Sequence, residues 1–188
     1  VFLVIVGTLP LFLILPVKKY VEGLGSSPVF VSFALLVTGC ILFLSDRMAT
    51  GRKTARSATV KDVLLVGVAQ GIATIPGLSR SGCTISAGMA LGFRREFAVR
   101  YSFLMSLPAV FGATLLEVKD TLSAGAGIPD GMLGKYLLGM VIAGVVGYFA
   151  IRLVNLLADK GKFGAFSYYC WIVGVLSLVL SLMGWTLA

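Results

Sequence analysis

The chain of 188 residues is 58% hydrophobic and only 13% charged, with a mean hydropathy of +1.00. Soluble domains are about half apolar and about a quarter charged, so a water-soluble single domain is excluded. Histidine is absent, which rules out a Ser-His-Asp triad, a histidine metal site or a phosphohistidine within these residues. The net charge is +8, and in a membrane protein such an excess reports orientation rather than nucleic-acid binding.

In chain order, residues 1–16 are apolar and are followed by Lys18-Lys19. A bilayer-spanning helix needs about 20 apolar residues, so this stretch reads as a span cut short. The chain begins at Val1, inside that apolar run, and is expected to be a piece of a longer protein. Residues 29–45 form a clean span closed by Asp46-Arg47, and residues 97–117, 132–155 and 164–187 form three more. Cys40, Cys83 and Cys170 all lie in apolar stretches without CxxC spacing and read as small buried residues. Gly139, Ala143 and Gly147 recur every fourth position, a spacing that lets helices approach closely. Tyr136, Tyr148, Tyr168, Tyr169, Trp171 and Trp185 mostly sit near span ends, as an interfacial belt does. The expected fold is all-α, a polytopic membrane helix bundle forming one transmembrane domain over residues 1–188.

Residues 63–93 interrupt this series. The apolar runs 63–75 and 83–93 are each too short to cross a bilayer, and the turn-forming loop 76–82 separates them. Two half-length helices around a Pro/Gly loop predict a re-entrant helix-loop-helix hairpin, tolerated at membrane depth when buried in protein or lining a cavity. Charge supports this layout. If the hairpin returns to the side it entered from, one face receives the eleven cations within 47–61, 94–100 and 152–162, and the other receives Lys18, Lys19, Lys119 and Lys135. A single crossing helix instead gives a weaker bias of nine against six. The positive-inside rule therefore favours the re-entrant layout, with residues 48–61 cytoplasmic and the C-terminus outside.

The chemistry concentrates in QGIATIPGLSRSGCT, residues 70–84. Pro76-Gly77 ends the first half-helix. Ser79, Arg80 and Ser81 place two hydroxyls and a guanidinium at the hairpin tip, and Gly82 opens a second half-helix whose free N–H groups point back at them. An arginine fork, hydroxyls and a helix N-terminus together suit an anion, phosphate above all. An intramembrane arginine costs at least about 2.5–3.5 kcal/mol, so a ligand or counter-charge must offset it. Every acid, among them Asp130 and Asp159, lies in an expected loop or at a segment end. Ser79 and Ser81 read equally as helix caps. Thr84 either adds a hydroxyl to the site or bonds its own helix, and Gln70 either faces the site or ties the two half-helices together.

The runs PGLSRSGCTISAGMALGF and YSFLMSLPAVFGAT resemble the bacterial undecaprenyl-diphosphatase, or bacitracin-resistance, family, through its PGxSRSGxT and SFL…P…GAT elements. The resemblance covers essentially the whole chain and corresponds to the C-terminal two-thirds of the family, the second part of an inverted-repeat fold. The family's Glu-rich EGxTEFLPxSSTGH element of the first repeat is absent here. The resemblance implies an integral-membrane phosphatase that hydrolyses undecaprenyl diphosphate to undecaprenyl phosphate plus phosphate, recycling the cell-wall lipid carrier and conferring bacitracin resistance. It implies Arg80 as the catalytic clamp on the diphosphate, with Ser79 and Ser81 beside it, and Gln70, Gly77, Gly82 and Thr84 as substrate-binding positions. The family's nucleophile, glutamates and histidine have no counterparts in this chain, which is expected to be inactive alone. A divalent cation, Mg or Ca, is implied as cofactor with its ligands outside this chain. The implied partners are the lipid diphosphate and the membrane, without nucleic acid and with a homodimer as a candidate assembly. The implied location is the bacterial inner membrane, as a multi-pass protein. The competing reading is a carrier or flippase for an anionic lipid or solute, since broken helices also build transporters.

Overall fold

The computed structural model describes residues 1–48, 51–123, 132–159 and 164–183. Asp130, Lys160, Lys162, Trp185 and the end of the expected span 164–187 lie outside the described residues. The fold is all-α. Helix α1 (Phe2–Thr8) runs into a 3₁₀ stretch (Leu9–Val17) and then α2 (Lys18–Leu24). Proline gives no N–H and crowds the preceding turn, so Pro10 and Pro16 break the apolar run into these short pieces. The remaining helices are α3 (Pro28–Arg47), α4 (Val60–Ile72), α5 (Arg80–Ala90), α6 (Arg95–Ser123), α7 (Leu133–Asp159) and α8 (Gly164–Leu182).

Among the described residues, four segments are long and apolar enough to cross a membrane: Pro28–Arg47, Arg95–Ser123, Leu133–Val154 and Ala165–Leu182. Helix α3 starts where a start is encoded. Ser27 accepts a hydrogen bond from the Phe30 N–H at 3.4 Å, and Pro28 occupies the first turn. Small residues join α3 to α8. A Cβ on Gly39 would stand 2.5 Å from the Trp171 ring and one on Gly174 would stand 2.8 Å from Leu36 Cδ2, so neither backbone could come as close with a larger residue. Ser32 Oγ hydrogen-bonds Ser177 Oγ across the same interface at 2.8 Å.

The stripe Gly139, Ala143 and Gly147 behaves otherwise. A Cβ at Gly139 or Gly147 would meet nothing within 4 Å, so among the described residues that face of α7 is open. The cysteine expectation also divides, because Cys83 and Cys170 are buried but Cys40 is exposed on the outer side of α3.

Helices α4 and α5 form a hairpin packed among α1, α3 and α6. With 13 and 11 residues they are about 20 Å and about 16 Å long, each well short of a bilayer core. Their outer ends are tied together. The Lys53 N–H donates to the Gly92 carbonyl at 2.9 Å and the Arg94 N–H to the Lys53 carbonyl at 2.8 Å, so the chain leaves the hairpin beside where it entered. Thr59 and Asp62 cap α4 reciprocally, and Asp62 also takes both its oxygens to Lys53 Nζ at 2.9 and 3.0 Å. The Lys53 ammonium and the Thr59 N–H hold the Asp62 carboxyl below the ordinary aspartate range. Arg95 Nη1 reaches Asp46 Oδ1 at 2.8 Å and brings the ends of α3 and α6 to the same place. This end of the bundle therefore carries Arg47, Lys53, Arg94 and Arg95 together. The apolar core lies just inside it, where Val63, Val66, Met89, Phe93, Val99 and Met105 are buried around Tyr101.

Candidate functional site

At the opposite end of the hairpin, the loop between α4 and α5 is shaped by three local facts. Gly77 has φ +93°, a conformation that side-chain-bearing residues rarely adopt, and a Cβ there would stand 2.7 Å from the Val31 carbonyl oxygen. Thr38, buried on α3, grips the loop from both sides: its hydroxyl donates to the Gly77 carbonyl at 3.2 Å and accepts from the Ser79 N–H at 3.1 Å. Ser79 then caps α5, its Oγ accepting from the Gly82 N–H at 3.1 Å. These bonds leave the N–H groups of Arg80 and Ser81 without an acceptor among the described residues, at the positive end of an 11-residue helix.

A cavity of about 520 Å³ opens at this tip. Of the seven positions expected from the sequence, Gln70, Gly77, Arg80, Ser81 and Thr84 line it. Ser79 and Gly82 do not line it; the Ser79 Oγ accepts from the Gly82 N–H in the helix cap. Arg80 and Ser81 are exposed at the opening, and Arg80 has no ion-pair partner among the described residues. Gln70 is only 1% exposed, and its Nε2 has no hydrogen-bond partner among the described residues. It therefore does not tie the half-helices together through that group. Thr84 does bond its own helix, approaching the Arg80 and Ser81 carbonyls at 3.0 and 3.2 Å.

Two lining hydroxyls, Ser102 and Ser106, come from α6 and were not singled out from the sequence. Both lie within the SFL…P segment, but nothing local distinguishes a serine facing a cavity from one bonded to its own helix. Thr38 was missed for the same reason.

A second opening of about 670 Å³ adjoins the first and shares Arg80 and Thr74 with it. Its walls are largely aliphatic and aromatic, including Leu11, Phe12, Ile14, Pro108 and Leu115, and it reaches Glu117 and Lys119 further along α6. A polar chamber and an apolar groove thus meet at one guanidinium.

The implied divalent cation can be tested against this donor set. The polar chamber offers a guanidinium, a carboxamide and hydroxyls but no carboxylate. No group of three or more His, Cys, Asp or Glu residues able to hold a metal occurs among the described residues. A doubly charged cation needs anionic oxygens to offset its dehydration, and Arg80 repels it. These residues do not fit such an ion, and no step below passes through one.

Fold and site together define a multi-pass membrane protein with a cationic polar cavity at the tip of a buried helical hairpin. The family described as Bacitracin resistance protein BacA matches residues 1–176, and the chain belongs to that family. It is 43% identical over 180 residues to an undecaprenyl-diphosphatase of Halothermothrix orenii, which covers 95% of this chain and 69% of that protein. An undecaprenyl-diphosphatase of Methanosphaera stadtmanae is 39% identical over 184 residues, 96% of this chain and 64% of its own length. One from Methanothermobacter thermautotrophicus is 42% identical over 186 residues, 96% of this chain and 100% of its own length. The chain thus spans about two thirds of the first two relatives and the whole of the third.

Proposed function

We propose that this chain binds undecaprenyl diphosphate and takes part in its hydrolysis to undecaprenyl phosphate and phosphate, the activity named for its relatives. The observation that carries the reading is the meeting of polar chamber and apolar groove at Arg80. An amphiphile with a doubly phosphorylated head and a long hydrocarbon tail matches both compartments at once. The head takes the chamber, where Arg80 and the first-turn N–H groups of α5 supply positive charge, and the tail takes the groove.

In the reaction, water adds its oxygen to the terminal phosphorus, the bond to the bridging oxygen breaks and undecaprenyl phosphate leaves. The water's protons pass to solvent and to the products. Negative charge is redistributed over the phosphoryl oxygens as the bridging bond loosens. A planar guanidinium held in place beside the phosphoryl group stabilises that charge with little reorganisation. Arg80, Ser81 and Gln70 account for binding, orientation and this charge stabilisation. None of the chamber's described lining residues is a carboxylate or histidine that could act as general base.

The hairpin enters the membrane as a re-entrant pair in this reading. Its short arms, its tied ends and the cations gathered beside them support this. Arms of about 16–20 Å bring Arg80 near the middle of a core about 30 Å thick. The basic end faces the cytoplasm, and the protein resides in the plasma membrane, the inner membrane where there are two. A homodimer would use the open small-residue face of α7, and disulfide trapping of Ala143→Cys in membranes tests it directly.

The test of function is phosphate release from C55 diphosphate by the protein in liposomes, with lipid flux followed in parallel. Release that requires Arg80 supports the reading. Flux without phosphate release overturns it in favour of a carrier.

A further inference from the structure

The hydroxyls on the chamber's α5 and α6 walls are not equivalent. Ser106 Oγ donates to the Phe103 carbonyl at 2.7 Å, so its single proton is spent on its own helix. Thr84 Oγ1 lies within reach of three acceptors: the Arg80 carbonyl at 3.0 Å, the Ser81 carbonyl at 3.2 Å and Ser102 Oγ at 2.6 Å. It too has one proton to give. Either Thr84 donates to its own helix and Ser102 donates to Thr84, or Thr84 donates to Ser102 and the Ser102 proton is released toward the chamber. The two states differ by rotation of two O–H bonds, and no heavy atom moves between them.

A second observation points to what would draw that proton out. Gln70, on the α4 wall, is 1% exposed and its Nε2 has no partner among the described residues. An unpaired buried amide costs about 1–3 kcal/mol, which a ligand acceptor would recover. The chamber thus presents a stranded donor on α4 and a releasable donor on α6, with Arg80 and two free N–H groups at the start of α5. Donors converging from three helices, with no carboxylate among the lining residues, suit a group that is acceptor on every side. A phosphoryl group is such a group, with three non-bridging oxygens.

We propose that Ser102 is a phosphate-binding residue, donating to a phosphoryl oxygen when the Thr84–Ser102 hydrogen bond reverses, alongside Gln70 Nε2. This rests on the phosphate-binding reading of the chamber and names residues that complete it. The reversal makes the donation conditional. Without a ligand Ser102 satisfies Thr84; with one, Thr84 satisfies Ser102.

The design also fixes what deletion of the hydroxyl should do. Thr84 keeps the Arg80 and Ser81 carbonyls as acceptors, so Ser102→Ala strands no donor and should melt within about 3 °C of wild type. Ser102→Cys keeps the shape with a slightly larger atom and replaces the hydroxyl with a weak donor. A hydrogen bond to an ionised acceptor corresponds to a loss of about ten- to hundredfold in affinity when removed.

The experiment is direct binding of inorganic pyrophosphate to the purified protein in detergent, by calorimetry, with melting of each ligand-free variant recorded alongside. Ser102→Ala and Ser102→Cys should each weaken binding about tenfold or more, while Thr114→Ala, whose hydroxyl donates to the Val110 carbonyl on the exposed side of α6, binds as wild type. Wild-type affinity in either Ser102 variant, folded as judged by its melting, overturns the proposal. Arg80→Ala separates the two layers of the argument. If Arg80→Ala abolishes binding while the Ser102 variants retain it, the chamber reading stands and the Ser102 assignment alone falls. If wild type does not bind pyrophosphate, or Arg80→Ala binds it unchanged, the chamber reading falls and the assignment falls with it.

Discussion

Thr38 carries the most discriminating expectation about how the site is held. The residue is 2% exposed and its hydroxyl serves two loop groups, donating to the Gly77 carbonyl at 3.2 Å and accepting from the Ser79 N–H at 3.1 Å. Thr38→Val keeps the shape and removes both bonds. It leaves a carbonyl and an N–H facing a methyl group, and each stranded group costs about 1–3 kcal/mol. If the loop held still, the loss would be about 2–6 kcal/mol, or roughly 4–24 °C in melting temperature for a chain of this size. The loop can instead shift to recover water, which lowers that cost but moves Arg80, the residue after Ser79. A displacement of about 1 Å at a positioning group costs about a hundredfold in turnover. Stability and activity therefore trade against each other, and one of them must fall. The assay is melting by intrinsic fluorescence in detergent together with kcat/KM for phosphate release, on Thr38→Val and on Thr38→Ser, which restores the hydroxyl. A Thr38→Val protein that melts within about 2 °C of wild type and turns over at the wild-type rate would refute the clamp. So would a Thr38→Ser protein no better than valine.

Three further outcomes are expected. Arg80→Ala should reduce phosphate release by about a hundred- to a thousandfold without loss of membrane insertion, and Arg80→Lys should recover no more than about a tenth of wild-type turnover, since a point charge does not replace a planar fork; the readout is single-substrate kinetics. The two tip serines should separate: Ser79→Ala loses a helix cap and about 1 kcal/mol of stability, whereas Ser81→Ala leaves the melting temperature alone and raises KM for the diphosphate. Asp62, with its carboxyl held low by Lys53 and the Thr59 N–H, contributes stability that is present above the ordinary aspartate value, about 3.9, and is lost as pH falls through its lowered value in the fold. Asp62→Asn should therefore melt lower than wild type at pH 7, with the gap closing below about pH 4 in a pH series of melting curves.

Those expectations divide according to how far apart in the chain their causes lie, and the same division explains what could be read from the sequence. Breaks and caps are local. Pro76-Gly77 stops a helix wherever it occurs, and a serine three residues before a free N–H caps one, so the hairpin's two arms and its loop were legible in residues 70–84. That α3, α6, α7 and α8 are long apolar helices followed from runs of apolar residues for the same reason. Local pattern also left open which of two uses a residue has. Ser79 reads equally as a cap and a ligand group; its Oγ caps α5 through the Gly82 N–H, and neither residue lines the chamber. The four-residue stripe on α7 looked like a packed face and meets nothing among the described residues, while the close approach that small residues do permit lies at Gly39 and Gly174, where no repeat announces it.

What the sequence withheld is the long-range half of the site. Thr38 reaches the loop across 41 positions to Ser79, and Ser102 reaches Thr84 across 18. Each is one ordinary hydroxyl in an apolar helix, and in such a helix the default use of a hydroxyl is its own turn's carbonyl, as at Ser106 and Thr114. Only the packing of α3 and α6 against the hairpin turns two of these hydroxyls outward. This has a consequence for how the arginine is tolerated. In the proposed re-entrant layout the guanidinium lies near the middle of the membrane, where a charge is costly and a fixed position lets a ligand offset it. Here the loop is gripped by α3 at Gly77 and Ser79, and α5 is braced by α6 at Thr84. The charge is thereby fixed at the seam where the polar chamber meets the apolar groove. A ligand that is anionic at one end and hydrocarbon along its length can meet both surfaces there, and a small anion alone would leave the groove empty. Affinity for a prenyl diphosphate should therefore exceed that for pyrophosphate. Lengthening the prenyl chain should strengthen binding until the groove is filled, which a series of diphosphates of increasing chain length measures. Affinity independent of chain length would mean that the groove does not hold the tail.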